Sequence, residues 1–169
     1  MKNKEKSILF VCTGNIFRSM SAEYCLKKYL SDQGIKNWKV SSAGIVAKKE
    51  PIDPKTIKVL QSIGIKEINH NQKRLTKSML NNYDAIIAMA ENHLNFIRSK
   101  LSYKNVLLFN ELASNKKSSI WDIEDEVKDY KTNRKAVEKK IEETVKEIYK
   151  KTPKLFKNVS ERFYFYYPK

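Results

Sequence analysis

A short loop near the N-terminus joins an apolar run to a segment with helical periodicity. The run Ile8-Leu9-Phe10-Val11 is typical of a strand that is buried on both faces. Residues 22–30 place apolar side chains at helical spacing, so a helix is predicted directly after the loop. The first N–H groups of a helix have no partner within it and carry partial positive charge. A loop wrapped over such a helix end can therefore bind a phosphate.

The loop also carries a candidate nucleophile and a candidate phosphate ligand, Cys12 and Arg18. A helix N-terminus and a nearby arginine favour the thiolate of cysteine, which is its nucleophilic form. The guanidinium of arginine can donate two parallel hydrogen bonds to phosphoryl oxygens. Gly14 is expected to supply the positive φ that a tight loop requires. An inert cysteine with a surface arginine is the alternative, but the flanking strand and helix, together with Asn15 and Ser19, favour catalysis.

Strand-like and helix-like segments alternate along the rest of the chain. Further strands are predicted at 38–42, 83–89 and 105–109, and helices at 19–33, from Asp53-Pro54, after residue 89 and at 130–150. This alternation predicts right-handed crossovers and a three-layer α/β fold, in which a four-stranded parallel sheet carries helices on both faces. The loop then lies at the carboxyl end of the first strand, where ligands bind in doubly wound sheets.

One domain is expected over residues 1–152, because 169 residues suffice to bury a core. An aromatic extension over 153–169 is expected to pack on this domain or on a second copy of the chain. The two cysteines are too few for a disulfide framework, and no Cys/His spacing indicates zinc. Neither a metal nor a cofactor is therefore expected, and Cys25 is assigned to core packing. A monomer or a weak homodimer is predicted.

The net charge of +15 suggests an anionic partner such as nucleic acid. The basic residues are mostly lysines scattered along predicted helical faces, without arginines interleaved with aromatic residues. Nucleic-acid binding is therefore not expected, although the charge should attract anionic substrates. No apolar run is long enough for a signal-peptide core or a transmembrane helix, so a cytoplasmic protein without membrane insertion is predicted.

The loop sequence resembles the signature of the low-molecular-weight protein tyrosine phosphatases, Cys-x-Gly-Asn-x-x-Arg-Ser. The matching residues are Cys12, Gly14, Asn15, Arg18 and Ser19, and Ser42-Ala43-Gly44 matches a second family motif. The resemblance covers about residues 6–150 and implies the flavodoxin-like phosphotyrosine phosphatase I architecture. It also implies protein tyrosine phosphatase activity through a cysteinyl-phosphate intermediate, with phosphotyrosine proteins as substrates and a cognate tyrosine kinase as a further partner.

The resemblance assigns a role to each residue of the loop. Cys12 is implied as the nucleophile and Arg18 as the phosphate clamp. Residues implied to bind the phosphate are Thr13, Gly14, Asn15, Ile16, Phe17 and Ser19. Ser42 and His70 are implied to brace the loop from behind, with an ordinary strand serine and an exposed loop histidine as the alternatives.

The resemblance also implies a carboxylic acid that protonates the leaving oxygen. The family places an aspartate in an Asp-Pro loop before its last helix, and Asp125 is the residue predicted for this role, with Asp122 as the fallback. Here Glu126 replaces the proline. This change leaves a weakly active phosphotyrosine-binding module as an alternative function.

Two relatives of this fold differ from the chain in particular residues. Arsenate reductases need two further cysteines in the middle of the chain, and no cysteine follows Cys25, so that activity is excluded. Protein-arginine phosphatases carry a threonine where this chain has Ile16. A branched apolar side chain is expected to crowd a guanidinium and to favour a flat phenol, so phosphotyrosine is preferred over phosphoarginine.

Overall fold

The computed structural model describes residues 5–166, with side chains to residue 163. These residues form four strands and seven helices, which in chain order are β1 (Lys6–Cys12), α1 (Arg18–Asp32), β2 (Trp38–Gly44), α2 (Pro54–Ser62), α3 (Lys77–Asn82), β3 (Ala85–Ala88), α4 (Glu91–Lys100), β4 (Val106–Leu108), α5 (Phe109–Ser114), α6 (Ile123–Glu126) and α7 (Arg134–Tyr166). None of the helices within this range is long and apolar enough to cross a membrane.

The four strands form one parallel sheet in the order β2-β1-β3-β4. Val11 of β1 lies opposite Ala43 on one side and Ala88 on the other, so β1 is a central strand. The chain leaves β1 toward one edge to form β2 and later returns to its other side to form β3. Such a reversal opens a crevice at the carboxyl ends of the strands, which is where β1 ends. The predicted four-stranded parallel α/β fold is confirmed.

Alternate side chains of β1 enter two different hydrophobic cores. Ile8, Phe10 and Cys12 belong to the core formed with α1, α2, α5 and α7. Leu9 and Val11 belong to the smaller core formed with α3 and α4. Burial on both faces explains why this strand is continuously apolar rather than alternating. It also fixes the face on which Cys12 lies, beneath the N-terminus of α1.

Helix α7 is longer than the sequence predicted, because it continues through Pro153 to Tyr166. Proline lacks an N–H and usually ends or kinks a helix, which is why the prediction stopped near residue 150. Leu155 and Val159 are buried after the proline, so packing holds the helix together there. The predicted boundary between 152 and 153 thus falls inside one helix.

The part of the predicted aromatic extension that the structure describes packs on the domain itself. The ring of Phe163 lies 5.5 Å from that of Trp38, edge to face, and Phe156 lies 5.2 Å from the same indole. Such aromatic pairs are worth about 0.5–1.5 kcal/mol beyond the area they bury. The aromatic side chains of residues 164–167, which also belong to this prediction, lie outside the described side chains.

Candidate active site

The loop of residues 13–17 lies between the end of β1 and the start of α1. Cys12 ends the strand and Arg18 begins the helix, and both are buried, with 2% and 1% of their surface exposed. The residue before the helix, Phe17, forms no side-chain cap. The first N–H groups of α1 are therefore not satisfied by a capping side chain, which leaves them able to bind an anion.

The left-handed residue of the loop is Asn15, with φ of 57°, and not Gly14 as the sequence analysis expected. Asparagine tolerates this conformation better than most residues, and here its side chain fixes it. The amide Nδ2 donates to Ser19 Oγ at 3.0 Å and to Ser42 Oγ at 2.7 Å. Its Oδ1 accepts the Lys73 N–H at 2.9 Å. Asn15 thus ties the loop to α1, to β2 and to the segment before Arg74.

The structure places both predicted bracing residues against Asn15. Ser42 accepts from the Asn15 amide and donates to the buried carboxylate of Glu23. His70 Nε2 lies 2.6 Å from the Asn15 carbonyl oxygen, and because a carbonyl only accepts, Nε2 carries the proton. Burial lowers the pKa of His70, so the ring is neutral with Nδ1 unprotonated. The sequence analysis had assigned no role to Glu23, whose position in the first helix gave no sign of this contact.

Glycine is required at residue 44, where β2 passes behind the loop. A Cβ atom on Gly44 would lie 2.5 Å from the Thr13 carbonyl oxygen and 2.8 Å from the Asn15 nitrogen. Both distances are shorter than van der Waals contact, and both partners are backbone atoms that cannot rotate away. A Cβ on Gly14 would meet only the Ile16 side chain, at 3.6 Å. The backbone of the loop therefore depends more on glycine at 44 than at 14.

The sulfur of Cys12 lies 2.9 Å from the hydroxyl oxygen of Ser19. Ser19 Oγ accepts from the Asn15 amide, and its own proton has two acceptors within reach, the sulfur at 2.9 Å and the more distant Ala43 carbonyl oxygen at 3.5 Å. The other cysteine has a different environment. Cys25 is fully buried, and burial raises the pKa of its thiol to about 12, so it stays protonated and inert.

Arg18 is held in place by three acceptors. Its Nη1 donates to the Ile120 carbonyl oxygen at 3.0 Å, and its Nη2 donates to Thr13 Oγ1 at 3.1 Å and to Asp122 Oδ2 at 2.5 Å. Both hydrogens of Nη2 are therefore engaged. A bidentate contact with a phosphate uses Nη2 from either edge of the guanidinium. A phosphate bound in this way would need one of the two Nη2 hydrogens. We expect it to displace Asp122 rather than Thr13, because Asp122 is the anionic one of the two Nη2 partners.

The structure separates the two candidate acids. Asp122 lines the cavity next to Arg18, and its second oxygen accepts the Ile123 N–H at 2.9 Å. Asp125 is exposed and accepts the Asp122 N–H at 3.2 Å, which closes the first turn of α6. Glu126, which stands where the family has proline, forms an ion pair with Lys140 of α7. Where the family has a proline, this loop is instead tethered to α7 by an ion pair.

A cavity of about 390 Å³ opens over Cys12 and Arg18. Its apolar walls are formed by Ile16, Phe17, Val46, Ile123 and Tyr130. Glu50, Asp53 and Glu124 also line it, but Asp53 is paired with Arg134 and Glu50 with Lys48. A small anion at the bottom and a flat apolar group above it would match these walls.

A family model described as low molecular weight phosphotyrosine protein phosphatase matches residues 7–162. Two curated relatives are an arsenate reductase of Staphylococcus haemolyticus, 36% identical over 88 residues, and the low molecular weight protein-tyrosine-phosphatase Etp of Escherichia coli, 41% identical over 92 residues. These matches cover 52% and 54% of the chain, but only 63% and 59% of the two relatives, which is less than two thirds of their length.

Among solved structures, a mutant of the YwlE arginine phosphatase with a phosphorylated active-site serine is similar throughout. It superposes with a TM-score of 0.77 at 25% identity, over 91% of this chain and 95% of that one.

Proposed function

The chain belongs to the low molecular weight phosphotyrosine protein phosphatase family, and on this basis we propose that it hydrolyses phosphotyrosine in proteins. The observation that carries the proposal is the Cys12 sulfur beside the Ser19 hydroxyl, in a cavity that Arg18 also lines. A nucleophile, a fixed guanidinium and uncapped helix N–H groups together form a site for the transfer of a phosphoryl group.

The reaction follows from these contacts in two steps. Cys12 Sγ attacks phosphorus as the bond to the phenolic oxygen breaks, and a carboxylic acid gives that oxygen its proton. Water then attacks the cysteinyl phosphate, the carboxylate takes a proton from it, and the sulfur leaves as a thiolate that the Ser19 O–H stabilises. The N–H groups of residues 13–18 and Arg18 hold the equatorial oxygens, on which negative charge is spread in both transition states.

We assign the proton donor to Asp125 and the orientation of Arg18 to Asp122. Before a phosphate binds, one oxygen of Asp122 contacts the guanidinium and the other the Ile123 N–H, which fits a role in orienting Arg18, while Asp125 stands at the position of the family's acid. Asp125 is exposed, and it has to turn from the first turn of α6 toward the cavity to act. A donor that is poorly aligned without substrate is common among enzymes.

Asparagine substitutions should separate these two roles. Asp125→Asn is expected to lower kcat for phenyl phosphate by about 100-fold, because phenol is a poor leaving group without a proton. Asp122→Asn is expected to change KM more than kcat, because it alters how Arg18 is held. Steady-state kinetics on phenyl phosphate and p-nitrophenyl phosphate measures both, and the loss in Asp125→Asn should shrink with the better leaving group. The opposite ranking of the two variants would assign the acid to Asp122.

Phosphoarginine is the second candidate substrate, because the YwlE neighbour is an arginine phosphatase. The walls of this cavity argue against it. Ile16, Phe17, Ile123 and Tyr130 offer apolar surface to a ring, while two of the three acidic residues at the rim are paired with cations of the chain itself. Among the residues that the structure describes, only Glu124 of these three acids is left without a cation, so a guanidinium would lose hydration and gain a single carboxylate at the rim.

A direct comparison of two substrates tests the proposed function. In EDTA, kcat/KM for a phosphotyrosine peptide is expected to exceed that for a phosphoarginine peptide of the same sequence by about tenfold or more. Release of inorganic phosphate is the measurement, and Ile16→Thr, with a smaller and polar side chain, should narrow the ratio. Faster hydrolysis of phosphoarginine would overturn the assignment to tyrosine. Tight binding of the peptide without release of phosphate would instead indicate a phosphotyrosine-binding module.

Arsenate reduction is not supported here, although arsenate reductases are among the relatives. That reaction needs a thiol to take up the oxidising equivalents from the nucleophile. Cys25 is the only other cysteine, and it is buried and protonated. A cytoplasmic location, a cognate tyrosine kinase and the monomeric or weakly dimeric state stay predictions.

A further inference from the structure

A buried histidine lies directly behind the phosphate loop, and the sequence analysis did not identify it. His93 belongs to the first turn of α4 and has no exposed surface. Its Nε2 lies 2.9 Å from Thr13 Oγ1, and its Nδ1 accepts the Ala90 N–H at 3.1 Å. The histidine therefore links the N-terminus of α4 to the residue that follows Cys12.

The direction of the bond to Thr13 follows from the other side of the ring. Because Nδ1 accepts a backbone N–H, it has no proton in the neutral imidazole, so Nε2 carries it. Burial lowers the pKa of His93 to about 3, and the charge of Arg18 acts in the same direction. The ring is therefore neutral at ordinary pH, and its Nε2–H donates to the Thr13 hydroxyl oxygen.

The Thr13 hydroxyl oxygen also accepts from a second donor. Arg18 Nη2 donates to the same oxygen at 3.1 Å. A hydroxyl oxygen has two lone pairs and one hydrogen, so these two donors occupy both acceptor positions. The third position around Oγ1 is left for the hydroxyl proton. Thr13 lines the cavity, so an acceptor within the cavity is available to this proton whenever an anion is bound there.

We propose that the Thr13 hydroxyl, oriented by His93 and Arg18, donates its proton to a phosphoryl oxygen of the substrate. This inference rests on the proposed phosphatase function and adds a side-chain donor to the backbone N–H groups of the loop. A phosphate that replaces Asp122 on Arg18 Nη2 lies next to Thr13, which already occupies the other hydrogen of that nitrogen. His93 is then a positioning residue, since it acts only by fixing the rotation of the hydroxyl.

Two substitutions at residue 13 test the donor. Thr13→Val removes the hydroxyl at nearly constant shape and is expected to lower kcat/KM for p-nitrophenyl phosphate by about 100-fold, at the lower end of the range measured for single donors of an oxyanion hole. The Ki of inorganic phosphate should rise by about tenfold. Thr13→Ser keeps the hydroxyl and should lose several-fold less than Thr13→Val. The control Thr152→Val deletes a buried hydroxyl on α7, far along the chain from the loop, and should change neither constant.

His93→Leu tests the positioning role. If His93 orients the hydroxyl, this variant lowers kcat/KM by about tenfold, and the double variant with Thr13→Val loses no more than Thr13→Val alone. If Thr13 only supports Arg18, His93→Leu leaves the Ki of phosphate unchanged. Additive losses would show that the histidine acts independently of Thr13, and either result overturns the positioning role.

The failures of the two proposals can be told apart. A wild-type chain that does not hydrolyse p-nitrophenyl phosphate refutes the phosphatase function itself. An active wild type whose Thr13→Val variant keeps full activity, or whose Thr13→Ser variant loses as much as Thr13→Val, refutes only the hydroxyl donor. Should His93→Leu fail to fold, the comparison of valine with serine at residue 13 decides the matter alone.

Discussion

Cys12→Ser is expected to abolish turnover of phosphotyrosine, with kcat reduced by about 10⁴-fold or more. A serine hydroxyl is a much weaker acid and nucleophile than a thiol, and the adjacent Ser19 hydroxyl is no base that could activate it. The phosphate loop itself is unchanged, because serine fits in the volume of cysteine. The variant should therefore still bind inorganic phosphate, which isothermal calorimetry measures alongside the loss of turnover.

The matched control is the other cysteine. Cys25→Ala removes a buried thiol from the core of α1 and should cost about 1 kcal/mol of stability while leaving kcat unchanged. When the wild type is mixed with a phosphotyrosine peptide and quenched rapidly, the phosphate should be trapped on the enzyme, in the proteolytic fragment that contains Cys12. A phosphate trapped on another residue, or turnover that persists in Cys12→Ser, would refute the cysteinyl-phosphate intermediate.

The sequence was sufficient for the parts of this protein that depend on local pattern. The apolar run before Cys12 predicted a central buried strand, and Asp53-Pro54 predicted the start of α2, where Asp53 accepts the Lys55 N–H at 2.8 Å. Both features depend on residues next to each other in the chain. Periodicity and capping describe such features well.

Features that depend on tertiary contacts were missed or misplaced. Positive φ was expected at Gly14 because glycine adopts it most easily, but the contacts of Asn15 with Ser42 and Lys73 place it at Asn15. Pro153 was taken as a helix end, although the core beneath α7 outweighs the lost hydrogen bond. His93 gave no signal because its partner, Thr13, is 80 residues away.

The short helices α3, α5 and α6 were not predicted from the sequence, for a different reason. Each has four to six residues, which is too few for a hydrophobic period to be recognised. The last of them matters most, since α6 decides which aspartate of the acid loop lies in the cavity. Sequence spacing alone could not tell which of Asp122 and Asp125 lies in the cavity, because residues three positions apart on a helical turn lie close together.

Arg18→Lys is expected to lower kcat/KM for phosphotyrosine by about 10³-fold, and to weaken binding of inorganic phosphate in parallel. The guanidinium reaches the Ile120 carbonyl with Nη1 and presents Nη2 beside Thr13, so that both nitrogens are fixed before a phosphate arrives. Lysine carries the same charge, but a single ammonium cannot anchor itself at Ile120 and grip two phosphoryl oxygens together. Charge alone is therefore expected to recover little of the activity.

Arg98→Lys on α4 is the matched control, because Arg98 also contacts a backbone carbonyl, that of Val106, but does so outside the cavity. It should leave the kinetic constants unchanged. Thermal unfolding of both variants distinguishes a loss of the fold from a loss of phosphate binding, and Arg18→Lys should still unfold cooperatively. If Arg18→Lys kept more than about a tenth of the wild-type kcat/KM, a point charge would suffice, and the two-nitrogen contact of the guanidinium with phosphate would not be needed.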